Sequence, residues 1–254
     1  MRVSPKKQLG QHFLINEKIA KKIVNSLALN KTSQIIEIGA GTGALTKFLI
    51  KKNTSLKLIE IDNDAIVVLK NKFENTIIIH ADFLKLDLET IGFDNYAIIG
   101  NFPYNISNQI LFKILENRNS IVEMVGMFQK EVAARICSKP KSKKYGILSV
   151  LMQAYFNCEI LFDVNSNNFN PPPKVNSSVI RLTRNNVKEL SCNHKKFIQV
   201  VKAGFGQRRK KLKNALKKFT NLDDSNLNET LSKRAEELSV FEFIVLTNKI
   251  FSNS

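Results

Sequence analysis

Four residues, Asn101-Phe102-Pro103-Tyr104, close the apolar run Tyr96-Ala97-Ile98-Ile99-Gly100. An Asn-x-Pro-Tyr at the end of a buried strand can hold an exocyclic amine. The Asn side-chain carbonyl and a backbone carbonyl beside the proline each accept one N–H. Proline has no donor of its own and fixes the local φ. The Tyr ring offers a flat face on which a base can stack. Asn and Pro are also common turn residues, so the same four suit a plain strand-ending turn. Neighbouring motifs distinguish the two.

Upstream, Ile35-Ile36-Glu37-Ile38-Gly39-Ala40-Gly41-Thr42-Gly43 carries an apolar run into three glycines at alternate positions, followed by the helix-like Ala44-Leu45-Thr46-Lys47-Phe48-Leu49-Ile50. Glycine lets backbone approach a ligand and adopts turns that a Cβ obstructs. The next run, Leu56-Lys57-Leu58-Ile59-Glu60-Ile61-Asp62, ends in acids, with Glu60 21 residues after Gly39. That distance suits a carboxylate at the second strand end accepting ribose hydroxyls. A third run, Thr76-Ile77-Ile78-Ile79-His80, leads to Ala81-Asp82-Phe83, where Asp82 can accept from an adenine amine and Phe83 can cover the ring. The spacing is Gly-x-Gly-x-Gly rather than the Gly-x-Gly-x-x-Gly of dinucleotide sites. With no His/Lys/Tyr hydride set beside it, this argues against a nicotinamide dehydrogenase.

The elements that must position these groups alternate. Strand-like runs fall at 35–39, 56–61, 76–80, 96–100 and 121–128, with helical patterns at Glu17 to Leu29, Ile106 to Glu116 and Gln129 to Ser138. Such alternation predicts an α/β fold, a largely parallel sheet with helices on both faces. Right-handed crossovers place the strand ends on one edge, so Gly39, Glu60, Asp82 and Asn101, each at such an end, could converge there. Residues 1–14 read as an extended basic arm, 139–145 as a basic loop and 165–174 as a structured non-helical loop. After about Thr183 the pattern is helical: Ile198 to Phe205, Arg208 to Phe219, Ser225 to Leu231 and Val240 to Phe251. The expected domains are 1–185 and a small basic helical domain over 186–254.

The set of an acid after strand two, Asp after strand three and Asn-x-Pro-Tyr after strand four resembles the S-adenosylmethionine-dependent methyltransferases of the Rossmann-like class I type. Within them the chain is similar to the ribosomal RNA adenine-N6 dimethyltransferases (the KsgA/RsmA family). The likeness continues through Gln8-Leu9-Gly10-Gln11-His12-Phe13-Leu14, Gln129-Lys130-Glu131-Val132-Ala133 and Tyr145-Gly146-Ile147-Leu148-Ser149-Val150. It extends to Phe169-Asn170-Pro171-Pro172-Pro173-Lys174-Val175 and Phe205-Gly206-Gln207-Arg208-Arg209-Lys210. His12 stands where many members have Asn, and Phe102 where many have Leu.

The resemblance implies that S-adenosyl-L-methionine is held by His12, Leu14, Gly39, Gly41, Glu60, Ile61, Asp82, Phe83 and Asn101. Adenine N6 is a poor nucleophile, because its lone pair is delocalised into the ring. Hydrogen bonds from N6–H to Asn101 Oδ1 and the Pro103 carbonyl would favour a more tetrahedral nitrogen. Tyr104 would stack on one face of the base and Phe169 on the other; Phe169 also suits a core anchor. Glu37 is expected to orient loop amides or the N-terminal arm. The implied substrate is a pair of adjacent adenines in the 3′-terminal hairpin loop of 16S rRNA, within an immature small ribosomal subunit. The alternatives are a 23S rRNA adenine methyltransferase of the macrolide-resistance type and a non-catalytic RNA-binding factor on the same fold. Phe169 to Val175 and Gly206 to Leu212 favour the small-subunit family.

Charge distribution supports a polyanionic partner. The 254 residues carry a net +17. Residues 1–22 are net +5, 23–170 net +2 and 171–254 net +10, so the cofactor motifs lie in a near-neutral middle. From Lys195 to Lys218 there are ten basic residues and no acid. Arg208, Arg209, Lys210, Lys211 and Lys213 are therefore expected to grip phosphates from a helix-like segment. Cys137, Cys158 and Cys192 have no paired spacing and the three histidines are scattered, which predicts reduced thiols and no metal centre. No apolar run approaches the about 20 residues of a membrane span, and no secretory signal precedes Gln8. A cytoplasmic monomer is expected.

Overall fold

A computed structural model of the chain describes residues 3–219 and 227–251. The chain opens with β1 (Phe13–Leu14), α1 (Glu17–Asn25), β2 (Gln34–Ile38), α2 (Thr46–Leu49), β3 (Ser55–Glu60), α3 (Asn63–Lys72) and β4 (Ile77–His80). It continues with β5 (Tyr96–Asn101), α4 (Ser107–Glu116), β6 (Ile121–Gln129), α5 (Lys130–Ile136) and α6 (Ile147–Gln153). Then come β7 (Phe156–Val164), β8 (Phe169–Asn170), β9 (Ser177–Arg184), α7 (His194–Gly206), α8 (Leu212–Ala215), α9 (Asn228–Ser232) and α10 (Val240–Phe251). Two compact units result: Met1–Ala133 with Asn157–Arg184, and Ala134–Phe156 with Asn185–Ser254.

In the first unit the described residues form a seven-stranded sheet in the order β4-β3-β2-β5-β6-β9-β7. The β2, β3, β4, β5 and β6 pairings are parallel, and β9 runs antiparallel to β6. Ile35, Ala97, Ile99, Val125 and Met127 face one way and pack with Ala20, Ile23 and Val24 of α1 and with Leu45 and Leu49. Their alternates Ile36, Ile98 and Met124 are equally buried, so both faces are covered, as a parallel sheet requires. Asn16 caps α1 by accepting from the amides of Lys18 and Ile19.

Helix α1 stops at Asn25, short of the predicted Leu29. The chain turns there because the amides of Ala28 and Leu29 are taken by the buried carboxylate of Glu123. The N-terminal arm is not free. It makes a short 3-10 turn at Lys7–Leu9, then pairs β1 with β8. Strands β7 and β9 are additions to the predicted pattern: 156–164 carried no strand signal, because this edge strand alternates poorly between exposed and buried positions.

The second unit also takes in 134–156, which the expected boundary at 185 assigned to the first domain. Buried Val150, Leu151 and Met152 of α6, Phe197, Val200 and Val201 of α7 and Phe243 and Leu246 of α10 build its core. Tyr145 is buried beside Phe205, which stacks on Phe243. The predicted helix over Arg208 to Phe219 is corrected: only Leu212–Ala215 is α-helical. Arg208 and Arg209 lie in a turn and Lys210 in a bend, and Lys211 forms an antiparallel bridge with Arg234 that ties the segment down. The predicted helix Ser225 to Leu231 begins outside the described residues; its described part is α9.

Candidate active site

The parallel register aligns the carboxyl ends of four strands. Ile38 pairs with Ile59, Glu60 with His80 and Glu37 with Ile99. One cleft forms above them, lined by His12 and Leu14 from the arm, Gly39 and Gly41 after β2, and Glu60 and Ile61 after β3. Asp82 and Phe83 after β4, and Asn101, Pro103 and Tyr104 after β5, complete it. The predicted cofactor residues thus converge in one place.

The glycine loop needs its glycines. Gly39 and Gly41 have φ of 67° and 56°, the left-handed region. A Cβ on Gly41 would stand 3.1 Å from the Phe13 ring. Glu60 fixes the loop from below: Oε2 accepts from the Gly41 amide at 2.8 Å, and Oε1 from the amides of Ile61 and Asp62 at 2.8 and 2.9 Å. Oε2 keeps a lone pair for a ligand hydroxyl. Asp82 Oδ1 accepts from the Leu84 amide at 3.0 Å, which turns Oδ2 elsewhere. Phe83 is buried, while Ile61 is 44% exposed and offers an apolar surface.

Asn101 is oriented by a partner 89 residues away: its Nδ2 donates to the His12 carbonyl at 2.8 Å. A carbonyl only accepts, so the amide must present Nδ2 there and keep Oδ1 as an acceptor on its other side. The His12 ring lines the cleft and is held within the protein. Its Nδ1 bonds the Pro171 carbonyl at 2.7 Å, and the ring stacks on Tyr104 with centroids 5.6 Å apart. Tyr104 is pinned by a 2.5 Å hydrogen bond between its hydroxyl and Ser177. Burial pushes the Tyr104 phenol above its ordinary value against the opposing effect of that bond, so it stays neutral.

Two expected roles are corrected. Phe169 does not face the cleft; it is 3% exposed and packs with Leu14, Val164 and Val179, because β8 pairs Phe169 with Leu14 of β1. The Pro103 carbonyl accepts from the Ile106 amide at 3.3 Å and the Ser107 hydroxyl at 3.1 Å, which occupies both its lone pairs at the start of α4.

Gly126 and Ser177 carried no signal of function in the sequence. The Phe102 ring is 1% exposed and sits in a slot opened by glycines: a Cβ on Gly126 would lie 2.2 Å from it, and one on Gly100 2.6 Å. An isolated glycine inside the apolar strand Ile121–Gln129 is the available clue to such close approach. Gly126→Ala is expected to force the ring out of its slot and lower unfolding stability by about 1–3 kcal/mol. Urea denaturation checks this, and an unchanged midpoint would remove the slot as the reason for the glycine.

Of the two roles expected of Glu37, orienting loop amides or the arm, the structure shows bonds to Thr46 just after the glycine loop. Glu37 is 1% exposed and accepts from the Thr46 hydroxyl at 2.7 Å. Burial, opposed by that bond and helped by the nearby Glu60 charge, raises its pKa from 4.5 to about 8. A carboxyl whose folded pKa is raised stabilises fully below its unfolded value and loses that contribution as pH rises through the folded one. Wild-type stability relative to Glu37→Gln is therefore expected to fall between about pH 4.5 and 8. Urea titrations at pH 5 and 8.5 test the sign; a constant difference would contradict it.

The predicted phosphate-gripping residues lie in the second unit. Arg209, Lys210, Lys211 and Lys213 are exposed, whereas Arg208 is half-buried and turned inward. Among the described residues, no group of three His, Cys, Asp or Glu side chains is placed to hold a metal ion. No described helix is long and apolar enough to cross a membrane.

A family model described as "Ribosomal RNA adenine dimethylase" matches residues 2–249. The chain belongs to the ribosomal RNA adenine dimethylase family. Among its curated relatives, Ribosomal RNA small subunit methyltransferase A of Cytophaga hutchinsonii is 51% identical over 253 residues, covering 98% of each chain. The protein of the same name from Flavobacterium johnsoniae is 50% identical, covering 98% of this chain and 97% of that one. Among solved structures, a dimethyladenosine transferase from Plasmodium falciparum superposes with a TM-score of 0.80 at 23% identity, covering 94% of this chain and 98% of that one. The 23S rRNA methyltransferase ErmE gives 0.72 at 22%, covering 94% and 99%. The dimethylase fold is that of the class I methyltransferases. In this dimethylase the four strand ends carry the glycine loop, the two acids and the Asn-x-Pro-Tyr that the cleft brings together.

Proposed function

We propose that the chain is an S-adenosylmethionine-dependent dimethyltransferase acting on N6 of two adjacent adenines in the 3′-terminal hairpin loop of 16S rRNA. The observation that carries this is the Asn101 amide, oriented by the His12 carbonyl beside Tyr104 and in the same cleft as Glu60 and Asp82. The half-identical relatives named for the small subunit favour this substrate over large-subunit RNA.

The cleft suits the cofactor chemically. Glu60 Oε2 offers an acceptor for a ribose hydroxyl, Asp82 one for an adenine amine, and Ile61 and Phe83 apolar surface for the ring. When bound, S-adenosylmethionine supplies a methyl already activated by its sulfonium, so the protein needs positioning more than a strong base. Asn101 Oδ1 accepts one N6–H. The second acceptor is the Phe102 carbonyl, the other carbonyl beside the proline, since that of Pro103 is engaged. Two such bonds favour a pyramidal nitrogen whose lone pair is exposed. Tyr104, locked by Ser177, stacks on the base. A methylated N6 bearing its extra proton is acidic and loses it to water. An unpaired loop base spares the few kcal/mol of flipping.

The setting is an immature small subunit in the cytoplasm, engaged by a monomer. Transfer of labelled methyl groups to immature small subunits, with mass spectrometry of the RNA, tests the reading. The expected product is two adjacent N6,N6-dimethyladenines. Methylation confined to large-subunit RNA, or no transfer, would overturn it.

A further inference from the structure

The loop over 139–144 presents four exposed lysines, Lys139, Lys141, Lys143 and Lys144, in a fixed shape. Lys141 is held at a φ of 68°, a left-handed conformation uncommon for a non-glycine residue. The constraint lies within the second unit. Arg208 Nη2 donates to the carbonyls of Ser142 and Lys143 at 3.3 and 2.6 Å. Its Nε donates to the Glu236 carboxylate at 2.7 Å. The Glu236 backbone carbonyl accepts from the Lys141 amide at 2.7 Å. Three of the five Arg208 N–H donors are thus turned into the protein.

We infer that Arg208 and Glu236 form a clasp that holds the lysine loop in a phosphate-binding shape, so that Arg208 is a positioning residue and the loop lysines make the contact. This deepens the RNA-binding reading above and rests on it. A guanidinium fork can bridge a carboxylate and two carbonyls at once, whereas a lysine ammonium has no such planar fork. Bulk electrostatics and the clasp then predict opposite signs at Glu236. Removing an acid beside a polyanion should tighten binding if only charge matters. Removing one end of the clasp should loosen the loop and weaken it.

The test is fluorescence binding of the full chain to a labelled hairpin RNA carrying the 3′-terminal small-subunit loop, titrated over salt. Glu236→Ala is expected to weaken binding about three- to thirtyfold. It should also lower the slope of log K against log salt, because each lost phosphate contact removes about 0.7–0.9 from it. Arg208→Lys keeps its charge and should lose as much as Arg208→Ala. The Glu236→Ala effect should vanish when Lys141, Lys143 and Lys144 are already glutamine, since it acts through them; a purely structural defect would persist there. S-adenosylmethionine affinity should not move. Tighter binding by Glu236→Ala, or wild-type affinity of Arg208→Lys, would overturn the clasp. Failure of the wild-type chain to bind the RNA would instead overturn the underlying RNA reading.

Discussion

Asn101→Ala is expected to lower methyl transfer by about two to three orders of magnitude, the scale seen when one pre-oriented transition-state hydrogen bond is deleted. The side chain contributes only when N6 becomes tetrahedral, so the loss should fall on kcat and leave RNA affinity in place. Asn101→Asp separates orientation from mere acceptance. An aspartate keeps an acceptor, but its oxygens cannot donate to the His12 carbonyl that the native amide bonds at 2.8 Å. Two acceptors facing each other repel, and the side chain turns away. Both variants should be nearly inactive in single-turnover assays while binding RNA normally. Near-normal turnover by Asn101→Asp would sink the role assigned to His12 and the orientation argument with it.

Residues whose partners lie close in sequence, or whose roles follow from strand ends, were legible in the chain. Gly39, Glu60, Asp82 and Asn101 each end an apolar run, and parallel strands have one carboxyl edge, so periodicity and crossover handedness allow their convergence and the family resemblance implied it. The groups that aim them were not legible. His12 reaches Asn101 across 89 residues, and Ser177 reaches Tyr104 across 73. Nothing in local composition reports such pairs. Phe169 shows the same limit from the other side: its type suited stacking, but pairing with β1 buried it in the core. The pattern from Arg208 to Phe219 suggested one helix, yet Lys211 is bridged to Arg234 and Arg208 to Glu236. Those tertiary ties override a helical propensity worth a few tenths of a kcal/mol per residue.

Glu60→Gln should weaken S-adenosylmethionine binding by about 1.5–3 kcal/mol, the value of a hydrogen bond to a charged group, despite being isosteric. The reason lies in the three amides the side chain already serves. A carboxylate accepts at both oxygens, but an amide accepts at one and donates at the other. The glutamine oxygen would go where two donors wait, at Ile61 and Asp62. Its NH₂ would then face the Gly41 amide, which Glu60 Oε2 holds at 2.8 Å. Two donors in contact push the glycine loop away, and the ribose acceptor is lost in the same step. Glu60→Asp should fail differently, because a side chain one methylene shorter cannot span Gly41 and Asp62 together. Calorimetry with the cofactor decides it, alongside a melting curve that reports the loosened loop. Wild-type affinity in a folded Glu60→Gln variant would show that the glycine loop holds its shape without the carboxylate and that the ribose is bound elsewhere.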